Sequence, residues 1–126
     1  MTSWNMLQLI RSAAELARLI NRLTENFPPE EQYVMVPMLR DTALTVLEYA
    51  ALGMARYDIP DRCMLLSRAL VSLNELSSHF ILCKTIGVMS PSTYQEILDS
   101  ADLLRSQLMA ALKSVGHPEA GDLPLL

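Results

Sequence analysis

The strongest constraint on this chain is a spacing. In three separate segments, apolar residues recur at alternating intervals of three and four, the repeat of one face of an α-helix. The first segment, over residues 3–24, carries Met6, Leu9, Ala13, Leu16, Ile20 and Leu23, widened on one flank by Ile10, Ala14 and Ala17. Another, over about 61–85, carries Leu66, Ala69, Leu73, Leu76, Phe80 and Cys83. The last carries Tyr94, Ile97, Ala101, Leu104, Leu108, Ala111 and Val115. Between the first two lies a segment that is apolar on more than one face: Val34, Met35, Val36, Met38, Leu39, Ala43, Leu44, Val46, Leu47, Tyr49, Ala50, Ala51, Leu52 and Met54. A helix apolar on several sides is buried on several sides. No strand pattern competes, so the expected fold is all-α: an antiparallel, up-down-up-down four-helix bundle.

The punctuation supports this division. Asn26-Phe-Pro-Pro-Glu-Glu reads as the start of helix 2, with prolines and acids suited to a first turn. That helix is expected to run to about Ala55, with Pro37 bending it or resetting its start. Residues 53–60 hold the next break, and Asp58-Ile-Pro-Asp opens helix 3. Gly87 is the expected C′ residue of helix 3, and Ser90-Pro91 opens helix 4 with a cap and a proline. Gly116-His-Pro stops helix 4, which leaves a bundle over 1–116 and a tail over 117–126.

The apolar content exceeds what one small bundle needs. Of 126 residues, 51% are hydrophobic and only 19% charged, with a mean hydropathy of +0.22. Surface dominates at this size, so either the core is unusually complete or part of the surface is covered by other subunits. Helix 2 is the expected place, through Val34, Val36, Leu52 and Met54. A membrane span is not expected, because the longest uncharged runs, 85–95 and 1–10, fall well short of the required length. Two cysteines amid apolar residues, and a start without a charged n-region, suit a reducing cytoplasm.

The chemistry-bearing residues are sparse. Glu75 and His79 stand four apart, whereas bundle metal sites use a Glu-x-x-His spacing of three on two helices. No metal, cofactor or catalytic constellation is read here. Cys63 and Cys83 lie about 30 Å apart along one helix and cannot bridge within a subunit, so buried free thiols are expected. The eight methionines read as core or interface filling. Net charge is −4, which disfavours a dedicated nucleic-acid binder. The best basic stripe is Arg11, Arg18 and Arg22, which return to nearly one helix face, with Glu15 placed to pair with Arg11 or Arg18. A solvated face is the plain reading; in an oligomer, copies of the stripe brought together would hold phosphates of RNA or DNA.

Several stretches resemble one family. Phe27-Pro-Pro-Glu-Glu-Gln-Tyr33 is similar to the FPKEERY stretch of the four-helix-bundle proteins encoded by 23S ribosomal RNA intervening sequences. Ser72-Leu-Asn-Glu-Leu76 resembles that family's SLNEL. Ile86-Gly-Val-Met-Ser followed by Tyr94 resembles its LGYLSxxxY, and Leu103-Leu-Arg-Ser-Gln-Leu-Met109 its LLxEIxxML. The likeness covers about 24–115. The same superfamily holds the accessory variability determinant proteins of diversity-generating retroelements, which work beside a reverse transcriptase on RNA. The resemblance implies a homo-oligomer, a ring of five bundles, and a scaffold or reverse-transcriptase accessory role. It also implies that Glu75 is a structural polar residue, hydrogen-bonded or paired with an arginine. Gln32 departs from the family's arginine, and Leu47-Glu-Tyr-Ala-Ala-Leu-Gly53 departs from its Pro-Ala-Asn-Ile-Ala-Glu-Gly. The acidic net charge also departs from the basic nucleic-acid-binding relatives.

Overall fold

A computed structural model describes residues 3–114. Four helices account for most of them: α1 (Ser3–Thr24), α2 (Met35–Met54), α3 (Ile59–Thr85) and α4 (Pro91–Ser114), with a 3₁₀ turn at Pro29–Glu31 between α1 and α2. Each helix packs on its two neighbours around a closed square, α1 on α2, α2 on α3, α3 on α4 and α4 on α1. The chain is thus an all-α four-helix bundle. Val115, the helix stop and the tail boundary at 117 lie outside the described residues.

The three-four seams are the core. Met6, Leu9, Ala13, Leu16 and Ile20 are buried on α1, as are all six predicted seam residues of α3. On α4, Ile97, Ala101, Leu104, Leu108 and Ala111 are buried, while Tyr94 is packed at the margin. Leu23 also sits at the margin of the core, next to the buried Thr24.

The helix ends follow local chemistry. Asp58 caps α3 by accepting from the Asp61 N–H at 3.1 Å, and the Ser90 hydroxyl accepts from the Thr93 N–H at 3.2 Å at the start of α4. At the other end of α3, Gly87 adopts φ +83°. Its N–H donates to the Lys84 carbonyl at 3.2 Å and the Val88 N–H donates to the Cys83 carbonyl at 3.1 Å, the paired closure of a Schellman motif.

Two boundaries differ from expectation. α2 starts at Met35, so Pro37 falls in its first turn, where a missing N–H costs nothing, rather than in its interior. The Pro-Pro-Glu-Glu stretch forms the 3₁₀ turn instead. Gly53 is not a break. It is a buried residue of α2, and a Cβ there would stand 2.8 Å from Leu66 Cδ2 and 3.3 Å from the Leu66 backbone nitrogen. The glycine lets α3 approach α2 closely.

Candidate functional site

Arg18 and Arg22 lie on the flank of α1 that faces α4. With Glu15, Leu19 and Ser100 they line a solvent-open groove of about 500 Å³. Neither cation is uncompensated. Arg18 meets Glu15 at 2.7 Å, and Arg22 reaches across to Glu96 on α4 at 3.2 Å. These pairs are exposed and contribute little to stability, but they cancel the charge that a phosphate would read. Arg11 is exposed and has no ion-pair partner among the described residues. The predicted stripe is therefore one open cation followed by two neutralised ones.

The expected interface on helix 2 divides. Val34 and Leu52 are exposed, whereas Val36 and Met54 are 2% and 0% exposed and belong to the core of their own bundle. The correction has a simple cause: α2 packs against both α1 and α3, so its several apolar faces are used within the chain. Large exposed apolar residues gather instead on α3, where Ile59, Met64, Val71, Ile81 and Leu82 are open to solvent, followed by Ile86 just past its end. Met64, Arg68, Val71, Glu75, Ser78 and Leu82 follow spacings of four and three, which places them on one outward stripe opposite the buried seam. The helical period that marks the buried seam of α3 does not by itself single out this outward face.

Glu75 is a second correction. It sits on that exposed stripe, and its carboxylate lies 3.7 Å from His79 Nε2, beyond hydrogen-bond reach. The arginine of the bundle is bound by its neighbours: Arg105 donates to Asn74 Oδ1 at 3.2 Å, to Ser77 Oγ at 2.7 Å and to Asp102 at 2.8 Å, tying α4 to α3. His79 Nε2 and Gln107 Oε1 are buried without a hydrogen-bond partner among the described residues. No group of three or more His, Cys, Asp and Glu side chains among the described residues is placed to hold a metal ion.

A further polar cluster closes the end of α1. The buried Thr24 hydroxyl donates to the Ile20 carbonyl at 2.7 Å and accepts from Arg40 Nε at 3.0 Å. Arg40 also donates to the Asn21 carbonyl at 3.1 Å, and Gln32 donates to the Thr24 and Phe27 carbonyls at 3.3 and 3.0 Å. The orphan carbonyls of a helix end are thereby satisfied from α2 and the linker. Gln32 does this with a neutral amide.

The two thiols differ. Cys83 is buried, and its thiol is pushed up to about 11, by burial first and by the Glu31 carboxylate second. Cys63 is exposed, contrary to the expectation that both are buried.

The comparisons with known proteins agree with this geometry. The family model described as 23S rRNA-intervening sequence protein matches residues 5–110. Among solved structures, the chain is similar to a protein of unknown function from the S23 ribosomal protein family of Bacteroides thetaiotaomicron. The TM-score is 0.80 at 16% identity, covering 86% of this chain and 98% of that one. At that identity the likeness shows the fold alone. No curated protein matches the sequence.

Proposed function

Since the chain belongs to the 23S rRNA-intervening sequence protein family, we propose that it acts as a non-catalytic cytoplasmic scaffold, a homo-oligomer whose subunits meet along the outer face of α3. The observation that carries this reading is the outward stripe of α3, on which Met64, Val71 and Leu82 are exposed between Arg68, Glu75 and Ser78, Val71 at 66%. A protein interface combines apolar anchors with polar and arginine side chains, and this face offers both. A 27-residue helix is about 40 Å long and 10–12 Å across, so its face offers about 400–500 Å², half of the roughly 800 Å² per partner that a specific interface buries, and neighbouring elements must supply the rest. A closed ring joins one such patch to a different patch on the next copy. The family resemblance supports a ring of five. Among the described residues no helix is long and apolar enough to cross a membrane.

Sedimentation of face variants tests this. Val71→Glu with Leu82→Glu should lower the mass to that of one chain while helicity is kept. Leu44→Glu, on the outer face of α2, should leave the assembly intact. Dissociation by the α2 variant alone would place the interface elsewhere and refute the reading.

A second reading, an RNA-binding accessory of a reverse transcriptase, rests on Arg11, Arg18 and Arg22. The carboxylates of Glu15 and Glu96 beside two of them favour the scaffold. Retention of RNA in gel shifts at low salt, lost with Arg18→Glu and falling steeply with added salt, would reverse that preference.

A further inference from the structure

The connection from α1 to α2, residues 25–34, sets two neighbouring apolar side chains in solvent, Tyr33 at 88% and Val34 at 69% exposure. The backbone beneath them is fixed. Phe27 and Met35, on either side, are buried in the core. Between them the Glu31 N–H donates to the Pro28 carbonyl at 2.9 Å and the Gln32 N–H to the Pro29 carbonyl at 3.2 Å. The Gln32 amide also holds the Thr24 and Phe27 carbonyls, and the rings of Pro28 and Pro29 lock φ. Tyr33 and Val34 thus stand on a rigid base, and a ligand that covers them does not have to order a loop first. Tyrosine adds a large contact area with few rotatable bonds to immobilise.

The same connection holds three acids, Glu25, Glu30 and Glu31, and no lysine or arginine. None of the three has an ion-pair partner among the described residues. The cations at the bordering helix ends are engaged: Arg22 with Glu96, Arg40 with the Thr24 hydroxyl and the Asn21 carbonyl, and Lys84 over the Tyr94 ring at 4.5 Å. The field of Glu31 reaches the end of α3, where it adds to the rise of the Cys83 thiol. Glu30 and Val34 are four residues apart, so two acids and the apolar pair fall within about 14 Å. The complement of that surface is an apolar side chain with cations beside it. An exposed tyrosine offers on the order of 150–250 Å². That anchors a short segment, and falls well below the roughly 800 Å² per partner of an interface between folded domains. The uncompensated carboxylates disfavour a phosphate backbone.

We propose that residues 30–34 are a docking site for a short basic segment of a partner protein. A large apolar side chain of that segment rests on Tyr33 and Val34. Lysine or arginine side chains beside it meet Glu30 and Glu31, and an arginine also stacks on the Tyr33 ring. The inference rests on the scaffold reading, since it names the client that the assembly holds. Each subunit contributes one such site, so a homo-oligomer binds a repeated basic segment with avidity.

A random dodecapeptide library displayed on phage tests this, panned on the full chain and counter-selected on its Tyr33→Ser, Val34→Ser double variant. Both side chains are exposed, so the variant should keep its helicity, read by far-UV circular dichroism. The retained peptides should carry two or more lysines or arginines around a large apolar residue. A labelled synthetic peptide of the selected sequence should then bind the full chain in fluorescence anisotropy. Its affinity should fall tenfold or more with Tyr33→Ser and severalfold with Glu30→Gln plus Glu31→Gln, and hold with Tyr33→Phe. Selected peptides without basic residues, equal affinity for Tyr33→Ser, or no peptide that prefers the parent chain overturns the proposal. So does a fall in native mass caused by the double variant, because that assigns the link to a subunit contact. A single peptide reports one site at a time, so Val71→Glu with Leu82→Glu should leave its affinity unchanged. A failed α3 interface is thereby told apart from a failed docking site.

Discussion

Gly53 offers the sharpest test of how α2 and α3 meet. It has ordinary helical backbone, since the only positive-φ glycine among the described residues is Gly87. Helix propensity alone therefore favours Gly53→Ala by up to about 1 kcal/mol. The packing opposes it. The new methyl would stand 2.8 Å from Leu66 Cδ2, 3.0 Å from Leu66 Cγ and 3.3 Å from the Leu66 backbone nitrogen. Leu66 is 0% exposed and part of the core, so the helices must separate or Leu66 must leave its rotamer, at about 1–3 kcal/mol. The net expectation is a loss of roughly 1 kcal/mol. Urea unfolding followed by far-UV circular dichroism, at one fixed chain concentration, measures it. A double-mutant cycle isolates the cause. Leu66→Ala alone should cost about 2–5 kcal/mol. In that background Gly53→Ala should turn neutral or stabilising, because both crowding side-chain atoms are gone. If Gly53→Ala stabilises the parent chain, or if the two changes are additive, the close-approach argument is refuted.

Other consequences can be checked on the same preparation. Gly87→Ala meets no atom within 4 Å, yet its φ of +83° is unfavourable for an L side chain, so it should lower stability by about 1–2 kcal/mol through the backbone alone. Thr24→Val removes the acceptor for Arg40 Nε in a buried setting and should cost about 1–3 kcal/mol in urea unfolding, while Thr24→Ser should be nearly neutral. Ellman's reagent near pH 8 should titrate Cys63 far faster than Cys83, which should react only as the chain unfolds. The Cys83 thiol ionises near 11 in the fold and near 9.0 when unfolded. Its contribution to stability is therefore complete below pH 9 and falls as pH rises toward 11, and Cys83→Ser should flatten that fall.

The core was open to reading because each seam repeats at one helical period. Every α3 position taken from that period is buried, and the caps at Asp58, Gly87 and Ser90 stand where turn chemistry put them. What was hidden depended on partners distant in sequence. A glycine that ends a helix and a glycine that makes room look alike until Leu66 is seen opposite Gly53. Apolar breadth on α2 did not say that α1 and α3 cover it on two sides, and so Val36 and Met54 were assigned to a surface they do not reach. The Arg40–Thr24 and Arg105–Asn74 links span 16 and 31 residues, beyond any local pattern. The arginine spacing is local to α1, but Glu96, which neutralises Arg22, comes from α4.

The native mass in solution tests the scaffold reading most directly. Light scattering on the eluting protein, across a wide range of loading concentrations, should return a fixed multiple of the 14.1 kDa chain, five by resemblance. A species of one chain mass that persists at high concentration would contradict the account and leave the outward stripe of α3 without a partner.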